Sequence, residues 1–277
     1  MFSKLRSWPA VAGLIIVAAV LVAAGCGDDN GGGGGASGLD TINSGQLRVG
    51  SDIPYPPFEF GREPDYQGFD VDLVNEIAKR LDLEAKFVKT PFDPIFRNLA
   101  QGRFDMVASA ATITPEREKT IDFSDPYFPA DQSLMVKRGS DIKTVDDLAG
   151  KTVGSQLGTT GADYAEKKTK AKTVRTYDLI DDAFNALQSE QVDAVINDFP
   201  TSKYAERSKK DLVVVQTIKT GEEYGLGFAT NAQELRRRVN GALQDMKDDD
   251  TYTKIYRKWF EADPPDSIFD TSGSTGS

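Results

Sequence analysis

Ser109-Ala110-Ala111-Thr112-Ile113-Thr114-Pro115-Glu116-Arg117 follows a strand-like run, Phe104 to Ala108, and turns into a predicted helix that opens on an arginine. Thr114 is a favourable N-cap and Pro115 suits the first helical position, which puts Arg117 at the third residue. The positive end of the helix dipole lies there, so a cation is unfavourable unless it faces a negative group. Two readings stay open on this stretch alone. It is an anion cradle that receives an external carboxylate, or it is a surface helix start with Arg117 paired to Glu118 or Asp122.

Outward from it, from about Leu39 to Phe260, β-like runs alternate with helical periodicity, the pattern of an α/β protein. The predicted strands are Leu47 to Ser51, Ala85 to Val88, Phe104 to Ala108, Ser133 to Lys137, Thr152 to Ser155, Val192 to Ile196, Leu212 to Val215 and Gly225 to Ala229. Val71, Val74, Ile77, Ala78 and Leu81 share one helical face; Leu235, Val239, Ala242, Leu243 and Met246 share a second, and Tyr252, Ile255, Tyr256 and Trp259 a third. Asp70 and Asp72, at the acidic start of the first of these helices, read as cap and dipole partners rather than catalytic carboxylates.

A weak repeat points to two similar lobes. Asp93, Phe96, Leu99, Asp105 and Val107 recur at a constant offset as Asp181, Phe184, Leu187, Asp193 and Val195, each set reading as helix, turn and buried strand. The strand ends then lead into Ser109 in one unit and Asn197-Asp198 in the other. Ligands of open α/β sheets collect at the carboxyl ends of strands. Two such ends facing each other would clamp a small molecule.

Composition narrows the chemistry. The 277 residues, 39% hydrophobic, suffice for one large core or two moderate ones. A net charge of -10 argues against a nucleic-acid partner. There is no histidine, and Cys26 is the only cysteine, so disulfides within a monomer, thiolate metal clusters and histidine-based catalysis are excluded. Neither a metal nor a cofactor is expected.

Residues 1–25 read as a signal peptide: Lys4 and Arg6 make a basic start, Val11 to Ala24 is apolar, and Ala23-Ala24-Gly25 precedes Cys26. This resembles a lipoprotein signal in which Cys26 becomes lipidated, although Ala23 stands where a leucine is more usual. The alternative, a single membrane anchor, needs about 20 apolar residues. Residues 26–38, with the Gly31 to Gly35 tract, form a flexible tether. Removal of residues 1–25 takes away Lys4 and Arg6 and no acid, and the net charge falls from -10 to -12. At the other end, residues 265–277 are expected to be a disordered tail.

Seven segments occur in a telling order: Asp52-Ile53-Pro54-Tyr55-Pro56-Pro57-Phe58-Glu59, Gly68-Phe69-Asp70-Val71-Asp72-Leu73, Phe92-Asp93, Thr112 to Arg117, Phe123-Ser124-Asp125-Pro126-Tyr127, Gly158-Thr159-Thr160, and Val192 to Asp198. In this order and spacing they resemble the polar amino-acid-binding proteins of ABC importers, the family 3 solute-binding proteins, over roughly Leu39 to Glu261. The resemblance implies a type II periplasmic-binding-protein fold, α/β, with a ligand cleft between two lobes joined by a two-strand hinge. Lobe 1 would comprise 39–131 plus 228–264, and lobe 2 would comprise 132–227 with the hinge crossings.

The resemblance also implies a role for each matching residue. Arg117 would hold a ligand α-carboxylate bidentately, since a planar guanidinium matches two oxygens. Thr112 would add its N–H and hydroxyl. Thr159, after Gly158 at a helix start, would reach the same carboxylate, serve as an ordinary N-cap, or do both. Asp198 would accept the α-ammonium, or act as a strand-end cap. Tyr55 and Phe92 would flank the side chain, and Asp52 would meet a polar or cationic ligand end. Ala110 would line the pocket floor: family members often carry glycine where this chain has Ala110 and Ala111. Asp248-Asp249-Asp250 stands where a turn glycine is common.

The implied function is a monomeric, extracellular or periplasmic amino-acid receptor, lipid-anchored to the outer face of a bacterial cytoplasmic membrane, that delivers its ligand to an ABC permease and its ATPase. An enzyme of the cyclohexadienyl dehydratase kind, on the same fold and carboxylate clamp, is the alternative; it would need a poised general acid. A sensing module for a separate membrane partner is another.

Overall fold

The computed structural model describes residues 39–269. The expected signal peptide, Cys26 and the tether therefore lie outside the described residues, as do residues 270–277. In chain order the strands and α-helices are β1 Gln46–Ser51, β2 Phe60–Arg62, β3 Asp65–Gln67, α1 Phe69–Arg80, β4 Glu84–Lys89, α2 Ile95–Ala100, β5 Met106–Val107, β6 Asp122–Phe123, β7 Phe128–Pro129 and β8 Gln132–Lys137. There follow β9 Thr152–Gln156, α3 Thr160–Lys168, β10 Thr173–Tyr177, α4 Ile180–Gln188, β11 Ala194–Asp198, α5 Phe199–Ser208, β12 Leu212–Ile218, β13 Glu223–Tyr224, β14 Gly227–Phe228, α6 Gln233–Asp248 and α7 Thr251–Phe260.

Two five-stranded mixed sheets organise the molecule, in the orders β4-β1-β5-β14-β6 and β10-β9-β11-β8-β12. In each, two parallel neighbours are followed by two antiparallel ones. The strand that breaks the parallel order is β14 in the first sheet and β8 in the second, the two that carry the chain across between sheets. A ribbon of β7 and β13 lies at the crossing. The helix-turn-strand repeat is real in three dimensions. Asp105 donates its N–H to Arg48 O and accepts the Arg48 N–H; Asp193 does the same to Thr152. Each aspartate thus locks its strand to the start of the parallel neighbour.

The amphipathic faces pack as the periodicity demands: Val71, Val74, Ile77 and Ala78 of α1, and Leu235, Val239, Ala242, Leu243 and Met246 of α6, are all buried. Each of the valine, leucine, isoleucine and methionine side chains contributes roughly 1.5–3 kcal/mol by leaving water. The helix α1 starts at Gly68 rather than at an aspartate cap. Its φ is +139, and a Cβ there would lie 1.9 Å from Phe58 O, so only glycine fits. Phe58, Phe69, Phe128, Tyr224, Tyr256 and Phe260 form an aromatic cluster beside the crossing, with Tyr256 and Phe260 centroids 4.7 Å apart.

Two expectations need correction, and a third is met at Asp250. The helix predicted from Thr114 is a single 3-10 turn, Arg117–Lys119, because Ile121 must be buried in the core so soon after; Thr114 still accepts the Arg117 N–H at 3.2 Å. Pro265 to Phe269, placed in the tail, form a turn with Ile268 buried and Phe269 against Tyr252. Asp250 takes the left-handed backbone of the usual turn glycine, at φ 64.

Candidate functional site

The carboxyl ends of β1, β5, β9 and β11 converge on one narrow cleft with room for little more than a water molecule, about 10 Å³. All eight ligand-site residues expected from the sequence line it: Asp52, Tyr55, Phe92, Ala110, Thr112, Arg117, Thr159 and Asp198. Ser109, Gln156 and Thr160 complete the lining and were not anticipated. Gln156 was legible as the residue one past the predicted strand Thr152 to Ser155, and Thr160 as the neighbour of Thr159.

Arg117 is fixed by groups on both sheets' sides. Its Nη1 donates to Thr112 O at 2.6 Å and its Nη2 to Gly158 O at 3.2 Å. Its guanidinium carbon lies 4.6 Å from the Phe96 ring centroid and 5.2 Å from that of Phe92. Such stacking presets the fork at little entropic cost. Burial pulls its pKa down to about 10, against the opposing charges of Asp198 and Glu222; it stays cationic near neutrality.

The segment carrying Arg117 leaves β5 through Ala110, which sits at φ 43. Asp70, expected as a helix cap, instead accepts the Ala110 N–H at 2.9 Å and the Tyr127 hydroxyl at 2.8 Å. Burial pushes its carboxyl up to about 6. Ser109 is held likewise, donating to Glu59 at 2.9 Å and accepting the Asp52 N–H at 2.8 Å. The segment then runs beside the return crossing, with Ile113 N–H donating to Glu223 O at 2.9 Å and Gly225 N–H to Ala111 O at 3.0 Å.

Opposite stands Asp198, whose Oδ2 accepts the Tyr55 and Tyr224 hydroxyls, each at 2.6 Å, while Oδ1 accepts Gln132. Burial raises its carboxyl to about 6, against those hydrogen bonds. Asp52 receives the Gln156 amide, and burial raises it to about 7. Thr159 spends its hydroxyl locally. It caps α3 by accepting the Ala162 N–H at 3.2 Å and donates to Gln156 O at 2.8 Å. The hydroxyl that faces the cleft from this corner is that of Thr160, 3.5 Å from Thr112 Oγ1, where it donates to Glu222 Oε2 at 2.7 Å and accepts the Gln132 amide at 3.3 Å.

A half-buried cation with two threonine hydroxyls at one end and a buried carboxylate ringed by phenols at the other can hold the two charges of one small dipolar molecule. No group of histidine, cysteine or acidic side chains suited to a metal occurs among the described residues. Two sheets, two crossings and a cleft at the strand ends between them define a two-lobed solute-binding protein of the type II kind. Bacterial extracellular solute-binding proteins, family 3, match residues 47–262, and the chain belongs to that family.

Among its curated relatives, the L-cystine-binding protein TcyJ of Escherichia coli is 34% identical over 223 residues, covering 79% of this chain and 84% of the relative. The ABC transporter glutamine-binding protein GlnH of Bacillus subtilis is 34% identical over 204 residues, covering 72% and 75%. Among solved structures, an ancestral arginine-binding protein bound to glutamine is 41% identical, with TM-score 0.76 over 79% of this chain and 99% of that one. The ancestral amino acid-binding protein AncCDT-1, a precursor of cyclohexadienyl dehydratase, is 41% identical, with TM-score 0.73 over 78% and 96%.

Proposed function

We propose that this chain is an extracellular receptor that closes on one free amino acid and presents it to an ABC permease. The carrying observation is the convergence of Arg117 and the Thr112 and Thr160 hydroxyls with Asp198 in one cleft. In this reading Arg117 and the threonines hold the α-carboxylate and Asp198 accepts the α-ammonium. Asp52, Tyr55, Phe92 and Ala110 border the side chain. Ligand held between the lobes favours the closed form, and the permease reads that form.

The protein, unfolded and refolded to strip ligand, is to be melted with each common amino acid in turn. At 100 times Kd the bound one stabilises by about 2.7 kcal/mol. Arg117→Ala should abolish that shift; no shift with any amino acid would sink the reading.

One observation favours a second reading. Asp52, in the cleft, is raised by burial to about 7, within the range of a general acid at neutral pH. Binding remains the stronger conclusion, since the Gln156 amide occupies Asp52 and these relatives are named for binding. Incubation with prephenate or arogenate is expected to give no aromatic product, and appreciable turnover would decide for the dehydratase.

The lipobox-like Ala23-Ala24-Gly25-Cys26 motivates a lipid anchor on a monomeric receptor. Cys26→Ser should move the protein from the membrane fraction to the soluble one; retention at the membrane would remove Cys26 as the anchor point.

A further inference from the structure

Glu59 ends the turn that opens at Tyr55, a border of the cleft: the Tyr55 N–H donates to Glu59 O at 2.6 Å and the Glu59 N–H to Tyr55 O at 3.2 Å. Its side chain is wholly buried, at 0% exposed. Oε1 accepts the Ser109 hydroxyl at 2.9 Å, and Oε2 has no hydrogen-bond partner among the described residues. The same Ser109 oxygen accepts the Asp52 N–H at 2.8 Å. Glu59 therefore holds, through one hydroxyl, two residues that line the cleft.

The groups that face Glu59 from the neighbouring elements are acids and a phenol: Asp70 of α1, Asp52 past the end of β1, Asp198 at the end of β11 and Tyr127 before β7. The Asp70 N–H donates to Phe58 O at 2.9 Å, which seats that carboxyl against the same turn. No cation is among the groups that bear on Glu59 most. An ionised carboxylate there would sit in a dry interior with one hydroxyl donor and like charges around it, whereas the neutral acid avoids both penalties. Burial first, and Asp70 next, accordingly push its pKa well above the usual glutamate range.

We propose that Glu59 is a positioning residue of the cleft floor that works as a neutral carboxylic acid, orienting Ser109 and through it Asp52 without adding a negative charge beneath the bound ligand. The Ser109 hydroxyl needs only an acceptor, and a protonated carboxyl keeps its carbonyl oxygen for that purpose. An ionised Glu59 would instead repel an α-carboxylate arriving at Arg117. The effect on affinity rests on the amino-acid reading above; the protonation of Glu59 and its hold on Asp52 do not.

The test compares full-length wild type with Glu59→Gln, which keeps the carbonyl acceptor and cannot ionise, and with Glu59→Ala, which has neither. The infrared spectrum of wild type minus that of Glu59→Gln at pH 7, in which the bands of Asp52, Asp70 and Asp198 cancel, should show the carbonyl stretch of a protonated carboxyl. Deuterium exchange of the Asp52 N–H should quicken about tenfold or more in Glu59→Ala and stay close to wild type in Glu59→Gln. Calorimetric titration with the amino acid that most raises the wild-type melting temperature should show affinity about tenfold weaker in Glu59→Ala and restored to within about threefold of wild type in Glu59→Gln. A carboxylate band in place of the acid band, an affinity loss of about tenfold in Glu59→Gln, or an Asp52 N–H indifferent to Glu59→Ala overturns the proposal. Should no amino acid bind wild type, the receptor reading fails, and the spectrum and the exchange still decide the role of Glu59. Should Glu59→Ala fail to fold, Glu59→Met, of similar volume and without the acceptor, takes its place.

Discussion

Individual side chains in this cleft divide into those whose hydrogen-bonding capacity is spent and those with some to offer. Thr159 is spent: its hydroxyl is occupied at both donor and acceptor ends by α3 and Gln156. Thr159→Ala should therefore cost about 1 kcal/mol in urea unfolding, as loss of an N-cap does, and leave ligand affinity within about twofold. Arg117→Lys should behave in the opposite way. A point charge cannot satisfy Thr112 O, Gly158 O and two ligand oxygens together, so affinity should fall by about tenfold or more with stability little changed. A large affinity loss in Thr159→Ala would return its hydroxyl to the ligand. The residues that line the cleft were legible through the ordered motifs and the family resemblance they carry, since type and position alone left Arg117, Thr159 and Asp198 open to ordinary capping or pairing roles. The roles of Asp70 and Glu59 were not, since their partners, Ala110 and Ser109, lie far away in sequence.

At the scale of elements, strong periodicity read through to structure and weak periodicity did not. The buried face of α6 emerged residue for residue; α1 buries Val71, Val74, Ile77 and Ala78 as expected and Phe69, Asp70 and Leu73 besides, with Leu81 just past its end. The edge strand β10, Thr-Val-Arg-Thr-Tyr, was missed because none of its five residues is fully buried and its composition is polar. Strand β5 shrank from the expected Phe104 to Ala108 to two paired residues. An apolar run marks burial there, whereas ladder pairing ends early so that the chain can turn upward at Ala110. The same economy reduced the expected helix at Thr114 to one turn. Local sequence specifies capping at Thr114, but tertiary burial of Ile121 decides how long the helix continues.

For the molecule as a whole, the buried acids beneath and within the cleft set the response to pH. Burial holds Asp52 at about 7, Asp198 and Asp70 at about 6, and Glu59 well above its usual range. The folded state thus binds more protons than the unfolded one, in which aspartate titrates near 3.8. The stability they add is complete below the unfolded value and is lost as pH rises through the folded one. Ligand-free protein should therefore lose stability from about pH 4 to pH 7, each titrating group contributing up to about 1.4 kcal/mol per pH unit. Exposed Glu234, held at about 2 by Arg237 and Arg238, and Asp249, held at about 2 by the Thr251 hydroxyl and Arg80, act in the opposite sense only at more acidic pH. Urea unfolding at pH 5, 6.5 and 8 measures the slope, and Asp198→Asn should flatten it. Stability that climbs toward pH 8 would refute the assignment.

The matched locks of Asp105 on Arg48 and of Asp193 on Thr152 have a consequence for orientation. The two halves are copies of one pattern, and the offset that carries Asp105 to Asp193 also carries Ala110 to Asp198. A mirrored pair of jaws, equally furnished, would hold a ligand either way round. Here one copy bears an anion at that step, while the other bears a methyl group and turns onward to a cation. The two halves share a pattern and differ in charge at this step, so under the receptor reading a dipolar guest has only one way to face.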